Sequence, residues 1–159
     1  DGTGRWDLMA GGSYNGVPSG ARPAHHNPYT KILYDWTSAT EISVPGALSL
    51  EPVISTGQIY RINSPVDGEY LLLENRQQTG FDTNLPGAGL LVYHADGNWI
   101  NTHMDSNDIN TTSHQGFYPL AAGGVINSSS CPFPGSENNT ELTDGSDPAM
   151  KTWSGENGT

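Results

Sequence analysis

The chain has 159 residues, and its seventeen acidic against six basic side chains give a formal charge of −11. The six basic residues are scattered, so nothing resembles the basic patch that nucleic acid or an anionic membrane surface requires. A lone cysteine, Cys131, excludes an internal disulfide, and no apolar run approaches a membrane span. With twenty glycines and eleven prolines, short strands and long loops are expected to outweigh helices.

In chain order, the first informative stretch is Arg5 to Gly16, RWDLMAGGSYNG. Bulky apolar residues run into Gly11 and Gly12, whose backbone is free to take positive φ, which predicts a tight turn with Met9 tucked inward as a floor. A Gly/Pro-rich loop, 17–24, follows. Asn27 is then a good N-cap with Pro28 at the first helical position. Tyr29, Ile32, Leu33 and Trp36 recur at helical spacing, so a short helix is predicted from Pro28 to about Trp36.

From Glu41 the pattern turns to strands. Leu48 and Leu50 alternate with polar residues, and Ile59 to Ile62 mixes both kinds. The runs Tyr70–Leu73 and Leu90–Tyr93 are continuously apolar, as expected of strands covered on both faces. Turn signals separate these stretches at Pro45-Gly46, Pro65 to Gly68 and Pro86-Gly87. A last strand is expected near Phe117 to Leu120. From Ala121 onward the apolar anchors are few: Val125, Ile126, Phe133, Leu142 and Trp153. The expected fold class is α+β, predominantly β. Residues 1–36 hold the turn and one helix, 37–120 a small mostly antiparallel sheet, and 121–159 a loop-rich extension.

Several groups of residues could carry chemistry. Glu74, Arg76 and Asp82 bracket the long segment between the two central strands and are expected to pin it as a buried ion-pair network. His94 and Asp96, two apart on a strand, share a face. They could share a metal, or form an orienting or simply satisfied polar pair. Asp96, Asn98, Asn101, Asp105, Asn107 and Asp108 make an oxygen-rich loop, and calcium takes six to eight such oxygens. Asp96, Asp105 and Asp108 are its candidate charged ligands, although the EF-hand spacing is absent and a solvated loop is the other reading. His25 and His26 are adjacent and would point to different sides of a helix, unlike the paired ligands of a zinc protease. His103 and His114 complete the histidines. Asn110, Asn127, Asn138 and Asn157 begin Asn-x-Ser/Thr triplets, expected by chance in so polar a tail. No Ser-His-Asp set, phosphate-binding glycine loop or cysteine-based site is visible.

Three segments in order resemble the secreted metalloproteases of the immune inhibitor A type, a metzincin-like family. They are the Trp-Asp-Leu-Met-Ala-Gly-Gly turn, the ENRQ…GFD…LPG segment within Glu74 to Gly89, and the strand ending Tyr93-His94-Ala95-Asp96. One mild departure is Asp35, where the family pattern has glycine. The resemblance implies that Trp6, Asp7, Leu8, Met9, Gly11 and Gly12 form a Met-turn beneath a catalytic zinc. It also implies that the zinc is held by an upstream His-Glu-x-x-His helix. No such motif occurs here, so no zinc ligand or catalytic residue is expected in this chain, which alone should be inactive. It would be the C-terminal part of a protease domain cut at both ends, its tail stopping before a final strand. The implied partners are the upstream half of that domain and a peptide or protein substrate, with no nucleic acid and no membrane. The implied location is secreted or at a cell surface, the single cysteine pointing to a bacterial source, and calcium could be a further cofactor. His94 and Asp96 would then lie close to the cleft. A non-catalytic, calcium-stabilised β module for surface binding or adhesion is the alternative.

Overall fold

The computed structural model describes residues 2–158; residues 1 and 159, the outermost of the first and last predicted segments, lie outside them. Its centre is the pair formed by the two apolar runs. These become β3 (Glu69–Arg76) and β4 (Gly89–Asp96), paired antiparallel from Glu69↔Asp96 to Arg76↔Gly89. With β1 (Ala39–Glu41), β2 (Ile59–Asn63) and β5 (Phe117–Pro119) they make a five-stranded sheet in sequence order. Only the β1–β2 pair is parallel. Its crossover, residues 42–58, carries the single-turn helix α2 (Val53–Thr56). The architecture is α+β.

Both faces of the central strands are buried, and alternation along the strands assigns each side chain to one of them. Tyr70, Leu72, Leu91, Tyr93 and Ala95 meet Trp6, Ile59, Ile100 and Phe117 on one face. Leu71 and Val92 meet Leu120, Ala122 and Phe133 on the other. The loop-rich tail supplies that second cover. Ala122 and Gly123 donate to the carbonyls of Cys131 and Ser130, and Phe133 exchanges backbone bonds with Leu90. A tail with little regular structure therefore still closes the core.

Three elements differ from the sequence expectation. Helix α1 (Pro28–Leu33) starts where predicted, with the Asn27 side chain accepting from Thr30 N at 2.8 Å, but it ends before Trp36. Asp35 takes a left-handed φ of 56°, which turns the chain off the helix axis. Trp36 consequently stays 60% exposed. The Leu48–Glu51 stretch forms no strand, because the free edge of β2 is taken by Ala39–Glu41 instead. Conversely, the first part of the oxygen-rich loop is a helix, α3 (Gly97–His103), capped by Asp96 Oδ1 accepting from Trp99 N at 2.9 Å. No helix among the described residues is long and apolar enough to cross a membrane.

Candidate functional site

The RWDLM segment is held by the bonds of its buried members. Residues 4–6 and 11–14 are short 3-10 turns, linked by an extended Asp7 and a turn over residues 8–10. Trp6 is fully buried and its indole donates to the Ile126 carbonyl at 2.6 Å. The buried Asp7 carboxylate accepts from Thr3 Oγ1, from Asn27 Nδ2 at 2.7 Å and from Asn27 N at 3.1 Å. Since Asn27 caps α1, one carboxylate couples the turn to the helix start.

The two glycines act differently from the expectation of positive φ. That conformation falls at Gly4 and Gly16, not at Gly11 or Gly12. Gly12 is there for close approach: a Cβ on it would lie 2.5 Å from the Asp7 carbonyl oxygen and 2.8 Å from Arg5 O and Ala24 Cβ. Met9 differs as well. Its side chain is not tucked inward but 71% exposed, while Leu8 is half-buried. The backbone around Met9 is closed by Ala10 N donating to Asp7 O and Ser13 N to Ala10 O, so a rigid turn presents an outward methionine.

Beneath the turn, the structure brings Glu74, Arg76 and Asp82 together in the interior. All five N–H groups of the Arg76 guanidinium find acceptors. Nε and Nη2 form a bidentate pair with Asp82 at 2.8 Å each, and Nη1 reaches Glu74 at 2.9 Å. The remaining two reach the carbonyls of Trp6, at 3.0 Å, and His25. Lys31 Nζ lies 2.8 Å from Glu74 Oε2, and the Tyr93 hydroxyl donates to Glu74 Oε1 at 3.1 Å. Burial alone would raise the Glu74 carboxyl, but the charges of Lys31 and Arg76 overcome it and hold it below the usual range. Burial alone would likewise loosen the Arg76 proton, and Glu74 and Asp82 reverse that. Removing one partner from such a network strands the others, a loss of about 3–5 kcal/mol. The sequence reading missed Lys31, Tyr93 and the two carbonyls. Lys31, one turn from the Asn27 cap on a helix bound for the sheet, was the available signal.

Above the turn lies a groove of ≈ 460 Å³ whose walls include Met9, His26, Asn27, Tyr34, Trp36 and Ile109. Tyr34 stacks on Trp36 at 5.5 Å, and the His26 ring meets Trp36 edge-on at 5.1 Å. His26 Nδ1 is shielded from solvent and has no hydrogen-bond partner. His25 turns the other way, edge-on to Phe81. Burial lowers its pKa, with Asp82 opposing.

His94 and Asp96 are placed away from this groove, on the face of β4 shared with Val92, and they do not pair with each other. His94 Nε2 lies 2.7 Å from Glu69 Oε2, which also accepts from Trp153 N at 2.8 Å. Asp96 caps α3 through Oδ1, and its Oδ2 is 2.9 Å from His114 Nε2. His103, Trp99, His114 and Trp153 stack in a column with ring separations of 3.6, 4.1 and 4.3 Å. These contacts fasten the tail to the sheet. Asp105 and Asp108 follow α3, with Asp108 accepting from Ser106. Among the described residues no three His, Cys, Asp or Glu side chains converge as a metal-holding group, so Asp96, Asp105 and Asp108 are not assembled as a carboxylate cage. No protein-family model matches the chain, and no curated protein or solved structure does either.

Proposed function

We propose that this chain is the Met-turn and cleft-wall portion of a secreted zinc endopeptidase of the immune inhibitor A type, with the zinc ligands and general base outside this sequence. The observation that carries the reading is Met9, 71% exposed at the mouth of a groove while Trp6, Asp7 and Gly12 around it are buried. A soft, adaptable side chain held outward on a rigid turn suits a floor completed by another segment. The residues present fit that floor and not the ligand set, since His25 and His26 diverge onto Phe81 and Trp36. Bound zinc would supply a Lewis acid that makes its water nucleophilic near neutral pH. This chain's part is positional. Arg76 and Asp7 fix the turn to β3 and α1, and Trp36, Tyr34 and His26 wall the groove along which a peptide would lie.

The test is made on the native polypeptide that contains this sequence. Its upstream sequence should hold His-Glu-x-x-His, purified protein should carry zinc, and casein cleavage should be abolished by a chelator. Met9→Glu should lower that cleavage more than tenfold, because a carboxylate would enter an apolar floor beneath the metal. A native polypeptide without zinc, without the motif and without cleavage overturns the reading and leaves the surface-binding β module.

A further inference from the structure

The sheet face that carries α1 is left open at its β1–β2 end. A second cavity, of ≈ 580 Å³, lies there between the helix and the strands. Tyr29, Ile32 and Leu33 of α1 and Leu72 of β3 give it apolar walls. At its edge the Arg61 guanidinium lies 3.8 Å from the centre of the Tyr70 ring, and its Nε donates to Asn63 Oδ1 at 2.7 Å. These two contacts hold the guanidinium plane while using a single donor. Its other four N–H groups meet no acceptor among the described residues. Tyr29 and Tyr70 also line the cavity, and their hydroxyls likewise donate to no group among the described residues. Burial pushes Tyr70 up to about 12, with Tyr29 adding to the effect, so it remains a donor at neutral pH.

An apolar trough with a few convergent polar groups is the usual form of a ligand site. Here the convergent groups are a preorganised cationic fork and two hydroxyl donors, the set that suits a carboxylate. The cation stands out in so acidic a chain, where Lys31 and Arg76 are already spent on Glu74 and Asp82. One group opposes: Glu41 faces Arg61 in register across the β1–β2 pair, exposed and without an ion-pair contact to it.

We propose that this trough binds a peptide by its carboxylate, with an adjoining apolar side chain filling the space beside α1. The carboxylate takes the free edge of the Arg61 guanidinium and the hydroxyls of Tyr29 and Tyr70. Such a group comes from an acidic side chain or from a chain terminus. The site shares α1 with the Met9 groove but does not depend on the protease reading, and it serves a binding module equally well.

Fluorescence anisotropy with rhodamine-labelled, leucine-rich hexapeptides tests the proposal on this chain. One peptide carries a central glutamate with both ends capped. A second replaces that glutamate with glutamine. The third is the glutamine peptide with a free C-terminal carboxylate. At least one carboxylate peptide should bind about tenfold or more tightly than the neutral one, and which of them does so names the source. Arg61→Gln should remove the difference, and Tyr70→Phe should reduce it severalfold. Glu41→Gln, a change at an exposed side chain that leaves folding intact, should tighten carboxylate binding by relieving repulsion. Equal binding of all three peptides overturns the proposal. So does no binding of either carboxylate peptide at millimolar concentration, an unchanged preference in Arg61→Gln, or weaker binding in Glu41→Gln.

Discussion

Met9 and Gly12 sit three residues apart in one turn and carry opposite constraints. Met9 is largely exposed, so Met9→Ala should change the stability of this chain by no more than about 0.5 kcal/mol. Gly12→Ala inserts a methyl group against main-chain oxygens that cannot swing away. It should cost about 2–3 kcal/mol, the upper range for overpacking. For a domain of this size that lowers the melting temperature by roughly 4–12 °C, measurable by thermal denaturation followed by circular dichroism. Equal melting temperatures for the two variants would mean that the turn is not rigid. Arg76 shows what sequence can reveal at this scale. Its charged partners Glu74 and Asp82 stand two and six residues away, within reach of local reasoning. Trp6 O and His25 O are 70 and 51 residues away, and a main-chain acceptor leaves no mark on residue type. Asp96 shows the converse. Its oxygen-rich neighbours suggest a cation loop, whereas its carboxylate accepts from the backbone N–H of Trp99 and caps α3.

Among the elements, α1 began as expected because an Asn cap followed by proline is a local signal. It stopped early because Asp35 adopts a left-handed conformation that costs an L-residue about 1–2 kcal/mol, and sequence spacing does not register φ. Asp35→Gly should therefore stabilise the chain by about 0.5–1 kcal/mol, part of the relief being offset by glycine's larger unfolded-state entropy. Asp35→Ala should destabilise it, because alanine keeps the Cβ without the local hydrogen bonding that lets Asp tolerate this region. Urea midpoints of the two variants falling on the same side of the parent would show that Asp35 is not the helix stop. The central strands were legible for the same reason that α1's start was. Continuous apolar runs between turn residues mean two-sided burial. β1 was not. Ala39–Glu41 is short and polar, and it is a strand only because β2 offers it an edge.

For the whole molecule, the perturbed groups define a stability plateau in pH. His25 has its pKa lowered by burial from the ordinary 6.5, so the unfolded chain takes up that proton first. Its contribution is present above 6.5 and lost as pH falls through the folded value. Glu74, held below 4.5, adds a second acid loss beneath that pH. On the alkaline side, burial raises Cys131 from 9.0 to about 12, and Tyr70 and Tyr118 from 10.0 to about 12. The unfolded chain ionises these first, so their contribution is present below 9 and lost as pH rises toward 12. The melting temperature should be flat between about pH 6.5 and 9 and fall on both sides. Glu74→Gln should lower the plateau and flatten the acid limb below 4.5. A melting temperature that rises on acidification from pH 6 to 4 would contradict these assignments.

By itself, the sequence determined what depends on near neighbours. It specified the turn at RWDLMAGG, the start of α1, the two doubly buried strands, the net acidic charge of the chain, and the carboxylates within reach of Arg76. Backbone propensity, alternation and capping act over a few residues, so a linear reading can reach them. Tertiary structure alone decided which face each strand turned to the Trp6 core, and so separated His94 and Asp96 from the Met9 groove. It also turned Met9 outward, joined Lys31 and Tyr93 to the buried network, and gave β2 a parallel neighbour. Those outcomes depend on competition among surfaces tens of residues apart for the same buried area, and no local pattern records who wins.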